Sequence, residues 1–184
     1  MQLDYTQILN EMHPGFFDRP YIRTLDEDGI YDEMVLDLRT FPCDAPAVPA
    51  PEGLEFSIYE GSRESLLDAV RSVDEAWPVY FRPGSRVFCA RSGGRIASFC
   101  LIEDMGTHQG MHIGGPGCVG TVPSFRRQGI GLRMVQLATA LLKNEAYDLS
   151  YIHFTAVSPW YSRLGYRTVL SWNRNGLLRG KNII

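Results

Sequence analysis

The sequence predicts an α/β fold, a mixed sheet with helices on both faces. Three observations predict it. Short β-branched and aromatic runs alternate with amphipathic stretches in the order β-α-β-β-β-α-β-α-β. One long stretch, about Gly129 to Tyr147, carries a broad apolar stripe of helical period. The chain has 184 residues, 45% of them apolar, and no apolar run near the ~18 residues of a membrane helix.

The elements follow in order. A short helix is predicted near Tyr5–Met12, within an acidic, aromatic-bearing arm over residues 1–44. Residues 45–53, Ala-Pro-Ala-Val-Pro-Ala-Pro-Glu-Gly, form a Pro/Ala hinge that can be neither regular helix nor central strand. A domain over residues 54–184 begins with the alternating strand Leu54–Tyr59. Ser62 then caps a helix to Trp77, with Leu66, Leu67, Val70, Val73 and Trp77 on one face. Arg86–Arg91 and Arg95–Glu103 read as strands joined by the hairpin turn Gly93-Gly94. Gly117–Val122 is a fourth strand, and the long helix follows it. Leu149–Val157 is a fifth strand, Pro159–Leu164 a short helix stopped by Gly165, and Tyr166–Trp172 a last strand.

Composition excludes several classes. Cys43, Cys89, Cys100 and Cys118 are widely spaced, with no Cys-x-x-Cys pair and no zinc-ligand spacing, so no metal is expected. The start, Met-Gln-Leu-Asp-Tyr, lacks the basic and apolar regions of a signal peptide, and a cytoplasmic protein with reduced thiols is the expectation. The net charge of −3 divides unevenly: residues 1–60 hold 13 acids and 3 bases, the remainder 8 acids and 15 bases. The basic part fits an anionic cofactor or neutralisation by the acidic part. It has no dense Lys/Arg cluster, so neither nucleic acid nor membrane is expected as a partner.

The chemistry concentrates in Val119-Gly-Thr-Val-Pro-Ser-Phe-Arg-Arg-Gln-Gly-Ile-Gly-Leu132. This stretch leaves a strand, turns at Pro123 and opens the long helix. Backbone N–H groups at a helix start lack partners and carry the positive end of the dipole. Gly129 and Gly131 remove side chains that would hold a phosphate off, and Arg126 and Arg127 add charge. Together these features specify a seat for a pyrophosphate.

Arg126-Arg127-Gln128-Gly129-Ile130-Gly131 resembles the Arg/Gln-x-x-Gly-x-Gly/Ala signature of the GNAT superfamily, the acetyl-coenzyme-A-dependent N-acetyltransferases. Trp160-Tyr161-Ser-Arg-Leu-Gly165-Tyr166 resembles the second landmark of that family, about 30 residues on with a strand between. The resemblance covers roughly residues 54–172 and leaves out the arm. It implies a central sheet splayed between the fourth and fifth strands, with the pantetheine chain against Val119, Gly120 and Thr121. It implies a pyrophosphate held by backbone from Arg126 through Leu132. A bulge at Val119-Gly120 would suit the splay.

Tyr161 matches the family's general acid, which protonates the coenzyme A thiolate as it leaves. A phenol, with a reference pKa of ~10, arrives protonated and can donate. Where many members carry a cofactor-contacting Asn, Phe154 stands here, and no acid lies between Met105 and Arg126 where a strand glutamate often serves as base. A base matters because an alkylamine of pKa ~10 is only about 0.1% neutral at pH 7. Glu103, Asp104, His112, His153 and a water chain all remain open for that role.

Gly115-Pro-Gly117-Cys-Val-Gly120 spells a dinucleotide-binding pattern, but Pro123 follows in place of a helix. Cys118 beside His112 or His153 could be read as a thiol nucleophile, against the commoner role of a small core residue. The expected function is transfer of acetyl from acetyl-CoA directly to an amine of a small molecule or peptide. The alternative is a non-catalytic acyl-CoA-binding sensor or interaction module using the same cleft. Asp74-Glu75-Ala-Trp-Pro-Val-Tyr-Phe81 offers acids and aromatics for a cationic acceptor, or a solvated helix end followed by core aromatics. A homodimer carries over from the family as an expectation, with no interface specified.

Overall fold

The computed structural model describes residues 3–42 and 46–178. Cys43, Asp44 and Ala45, where the sequence places the junction of arm and hinge, lie outside the described residues, as do residues 179–184. The strands are β1 (Tyr31–Asp37), β2 (Leu54–Ile58), β3 (Val87–Ser92), β4 (Arg95–His108), β5 (Met111–Thr121), β6 (Leu149–Thr155), β7 (Arg167–Asn173) and β8 (Gly176–Leu177). The helices are α1 (Tyr5–Met12), α2 (Arg63–Val73), α3 (Ile130–Asn144) and α4 (Ser158–Ser162). One sheet holds all eight strands in the order β2-β3-β4-β5-β6-β1-β7-β8. The β5–β6 pair is parallel and its neighbours are antiparallel, which makes the sheet mixed as the sequence predicts.

The segment over residues 1–44 is not an arm apart from the sheet. Its strand β1 lies between β6 and β7, bonded to both. Sequence reading misses it because Asp32, Glu33 and Asp37 make a seven-residue run look solvated. Yet Glu33, Met34 and Val35 are all buried, as befits a central strand. The division at the hinge is therefore not a division of the fold. Residues 46–49 are themselves tied across α3: Val48 N donates to Gln136 Oε1 at 2.9 Å, and Gln136 Nε2 donates to the Pro46 carbonyl at 2.8 Å.

Helix α2 ends at Val73 rather than Trp77, where Trp77–Val79 forms a 3-10 turn. Asp74 adopts extended backbone there, and its carboxylate accepts from Ala76 N. The β4–β5 hairpin is longer than predicted. Gln109 and Gly110 both take positive φ at its tip, the geometry a two-residue turn needs. Gly93 and Gly94 do the same at the β3–β4 turn, as the sequence predicts.

Helices cover both faces. Met134, Val135, Ala138 and Leu142 of α3 pack on Phe88, Cys100 and Ile152. Leu66 and Val70 of α2 pack on Cys89, Phe99 and Leu101 on the opposite face, and Ile8 of α1 packs there on Ile113 and Tyr151. Each fully buried aliphatic chain contributes ~1.5–3 kcal/mol.

Deleting residues 1–49 removes β1 and leaves β6 and β7 without a shared partner. The truncated chain is expected to lose its cooperative thermal transition by circular dichroism. A sharp transition at the full-length melting temperature would show that β1 is dispensable.

Candidate active site

The site is built where the ladder between β5 and β6 stops. The two strands pair at Ile113↔Leu149 and Gly114↔Ser150 and at no later position. Gly115 makes the last close approach: a Cβ there would lie 1.9 Å from the Tyr151 carbonyl oxygen. Beyond it the strands diverge, and both are bulged. On β5 the register against β4 shifts between Leu101↔Gly117 and Phe99↔Gly120, and Cys118 takes φ +45°. On β6 the register against β1 shifts between Thr155 and Ile152, and Phe154 takes φ +55°. Non-glycine residues at such angles are strained by ~1–3 kcal/mol and gather at working sites. The β5 bulge falls at Cys118-Val119, one residue before the expected Val119-Gly120.

On the face bearing α1 and α2, an open cavity of about 870 Å³ lies over this gap. Its floor includes Glu103 and Asp104 of β4, Gly117 and Cys118 of β5, and His153 and Phe154 of β6. Trp77, Tyr80 and Arg82 wall one side. Met12, His13, Arg19 and Tyr21 wall another, so the N-terminal segment shapes the cavity.

Glu103 lies over Gly117, whose missing Cβ would sit 2.0 Å from the carboxylate oxygen Oε2. Glu103 remains solvent-accessible, yet the surrounding protein desolvates it enough to raise its pKa. His153 is held from behind. Its Nδ1 lies 2.9 Å from Oε2 of Glu33, a residue with no exposed surface. Glu33 Oε1 accepts from Trp172 Nε1 at 2.8 Å and from the bulge amide of Phe154 at 3.4 Å. His13 stacks on His153, centroids 4.0 Å apart. Burial, then the His153 charge, lowers the His13 pKa to about 4.

The other candidates separate from this group. His112 stacks on Tyr147 and pairs with Asp104 at 3.2 Å, away from Cys118. Burial pushes the Cys118 thiol up to about 12, so no thiolate forms near neutral pH. Within Asp74–Phe81 the two readings divide: Trp77 and Tyr80 line the cavity, and Phe81 is core. Phe154 packs with Phe16, Tyr31 and Trp172 in a cluster that the N-terminal segment completes.

The loop and helix start lie beyond the end of β5. Arg126, Arg127, Gln128 and Gly129 are exposed, and Ile130, Gly131 and Leu132 are buried. Arg126 Nε donates to the Thr121 carbonyl at 3.0 Å, and Arg127 takes φ +63°. Gly129 precedes α3 with φ +79°, and a Cβ on it would meet the Pro49 carbonyl oxygen at 2.4 Å. Gly131 lets α3 pack on β5: its Cβ would lie 2.7 Å from Thr121 Oγ1. The Gly120 carbonyl accepts from Ser98 Oγ at 2.7 Å. Tyr161 is buried on the α3 face in a cluster with Val119 and Trp160. Its hydroxyl makes no hydrogen bond among the described residues, and burial raises its pKa. Gly115-Pro-Gly117-Cys-Val-Gly120 runs within β5, with no helix behind it, so the dinucleotide-binding pattern is fortuitous.

Sequence reading missed Glu33, His13 and Arg19. Only the alternation of Met34 and Leu36 within Tyr31–Asp37 signals a strand there, and nothing local reveals the partners of Glu33. Among the described residues no group of three His, Cys, Asp or Glu side chains could hold a metal ion. Among the described residues no helix is long and apolar enough to cross a membrane.

Residues 83–168, just under half of the chain, match the acetyltransferase (GNAT) domain family. Solved structures share its fold. One is a glucosamine N-acetyltransferase region of a fungal multi-domain beta-N-acetylglucosaminidase, at TM-score 0.63 and 21% identity over 79% of this chain and 20% of that one. A second is a GNAT protein of Sphaerobacter thermophilus, at TM-score 0.58 and 17% identity over 78% and 49% of the chains. A third is a tandem GNAT protein from the clavulanic acid biosynthesis pathway, at TM-score 0.59 and 17% identity over 80% and 53%. The chain thus spans between a fifth and about half the length of these structures. No functionally curated protein matches the sequence.

The low pKa of His13 makes stability depend on acid. Its folded-state value, about 4, lies below the ordinary 6.5, so the unfolded chain binds the proton first. Stability from this group is complete above pH ~6.5 and declines as pH falls toward ~4. The melting temperature is expected to drop over that window, and to drop less in His13→Phe, which keeps a stacking ring. Equal losses in both proteins would exclude His13 as the cause.

Proposed function

We propose that this protein transfers the acetyl group of acetyl-CoA directly to an amine of a small molecule or peptide. The observation that carries the reading is the opening between β5 and β6, with the Gly129–Gly131 helix start at one end of β5. Unpaired strand edges can hydrogen-bond an extended amide chain as a missing strand would, which suits pantetheine beside Val119, Gly120 and Thr121. The free amides at the start of α3 and the Arg126 and Arg127 charges suit the pyrophosphate, with Gln128, Ile130 and Leu132 contributing backbone.

In this reading the donor enters on the α3 face and the acceptor occupies the cavity on the α1–α2 face. The bulge at Cys118 lies between them. Tyr161 is the general acid. Burial raises its pKa, so the resting phenol keeps its proton, and the same dry surroundings raise the proton affinity of a departing thiolate. Glu103 and Asp104 favour a cationic amine at the cavity floor.

Calorimetric titration is expected to show micromolar binding of acetyl-CoA and desulfo-CoA, weaker binding of ATP, and loss of affinity in Gly129→Val. Tyr161→Phe is expected to keep the affinity and to lose ~10²-fold or more in turnover, the usual range for an acid–base group. Affinity for ATP equal to that for acetyl-CoA would refute the donor site. Binding without turnover of any amine would favour an acyl-CoA sensor.

A further inference from the structure

We infer that His153 is the base that deprotonates the acceptor amine, and that buried Glu33 is the positioning residue that holds it ready. The inference rests on the transferase reading above. It begins from a buried carboxylate, Glu33. Glu33 has no exposed surface and sits in the middle of an eight-stranded sheet. A carboxylate so placed is costly unless its oxygens are satisfied. They are: one by Trp172 Nε1 and the Phe154 amide, the other by His153 Nδ1.

A carboxylate only accepts hydrogen bonds, so the proton of the neutral imidazole lies on Nδ1. The lone pair is then on Nε2. That nitrogen makes no hydrogen bond among the described residues, and the ring lines the cavity. The backbone is arranged to the same end. The β6 bulge at 153–154 breaks the strand's alternation, and the Phe154 amide that it frees is bound by Glu33. Three titratable groups bear on the ring, Glu33 from β1, His13 just after α1 and Glu103 from β4, and Arg19 acts on His13 from the same side of the cavity. His13, its pKa lowered to about 4 chiefly by burial, stacks on the ring as a neutral imidazole.

The protons balance as follows. An ammonium group enters the cavity and gives one proton to Nε2, which passes it to solvent. The freed amine attacks the thioester carbonyl carbon, forming the C–N bond, and the C–S bond then breaks. Tyr161 gives its proton to the thiolate and regains one from the new amide nitrogen. One proton is released for each amide and thiol formed.

Two arms test this. The first compares kcat/KM for a primary alkylamine and for an arylamine, which is unprotonated at neutral pH, across pH. His153→Gln is expected to lose ~10²-fold or more with the alkylamine, and less than ~10-fold with the arylamine. It should also lose the acid limb of the alkylamine profile, and Glu33→Gln should shift that limb. The second arm is ¹⁵N NMR of the imidazoles of wild-type protein, which depends on neither turnover nor a variant's folding. It is expected to show His153 protonated on Nδ1 and bare on Nε2. An Nε2-protonated tautomer overturns the inference. So does an acid limb that survives in His153→Gln but vanishes in Glu103→Gln. Failure of the wild-type protein to bind acetyl-CoA overturns the transferase reading instead, while the NMR result still decides the state of the Glu33–His153 pair.

Discussion

The whole site depends on one interruption, the end of hydrogen bonding between β5 and β6 after Ser150. A sheet is held by its ladders, and backbone polar groups inside a fold need partners. Here two neighbouring strands begin as a parallel pair and part after two residues. The parting is imposed from outside the pair. Each strand stays bonded to its other neighbour, β4 or β1, through a bulge that turns it. Because both bulges lie just beyond the last shared pair, the gap is a rigid consequence of the sheet. The residues that line it, Cys118 on one side and His153 with Phe154 on the other, are the bulged residues themselves.

The N-terminal segment gives that gap a back wall. β1 supplies the bulge partner of β6 and places Glu33 behind His153. The segment between α1 and β1 packs Phe16 and Ile22 on Trp172 and closes one side of the cavity with His13, Arg19 and Tyr21. The early and late parts of the sequence also bond directly to each other. Asp32 bonds Ser171, and Arg167 bonds Tyr5, across the junction of early and late chain.

Much of the fold was legible in the sequence. The stripe through Ile130, Met134, Leu137 and Leu141 gives α3, and Gly93-Gly94 gives a turn, because local period and local φ decide both. The loop from Arg126 to Gly131 could be read for the same reason. What could not be read depends on distant partners. Tyr31–Asp37 carries three acids among seven residues, and only β6 and β7 on either side make it a central strand. Nor does a sequence show that His153 is backed by a residue 120 positions earlier. The reach of β4 and β5 to His108 and Met111 was hidden by glycines, which weaken a strand pattern even where close approach requires them.

The position of β1 also orders the birth of the protein. Its strand is made more than 100 residues before its bonding partners, Leu149–Thr155 and Arg167–Asn173. At ~5–20 residues per second the ribosome leaves Tyr31–Asp37 without a ladder for several seconds or more. Pairing of such long sequence separation is slow to close, since the loop must be ordered before its contacts form. Glu33, exposed on that waiting segment, is enclosed once the strand is paired. The pair Glu33–His153 therefore joins only after Leu149–Thr155 has been made. Its closing joins the two ends of a long loop into one site.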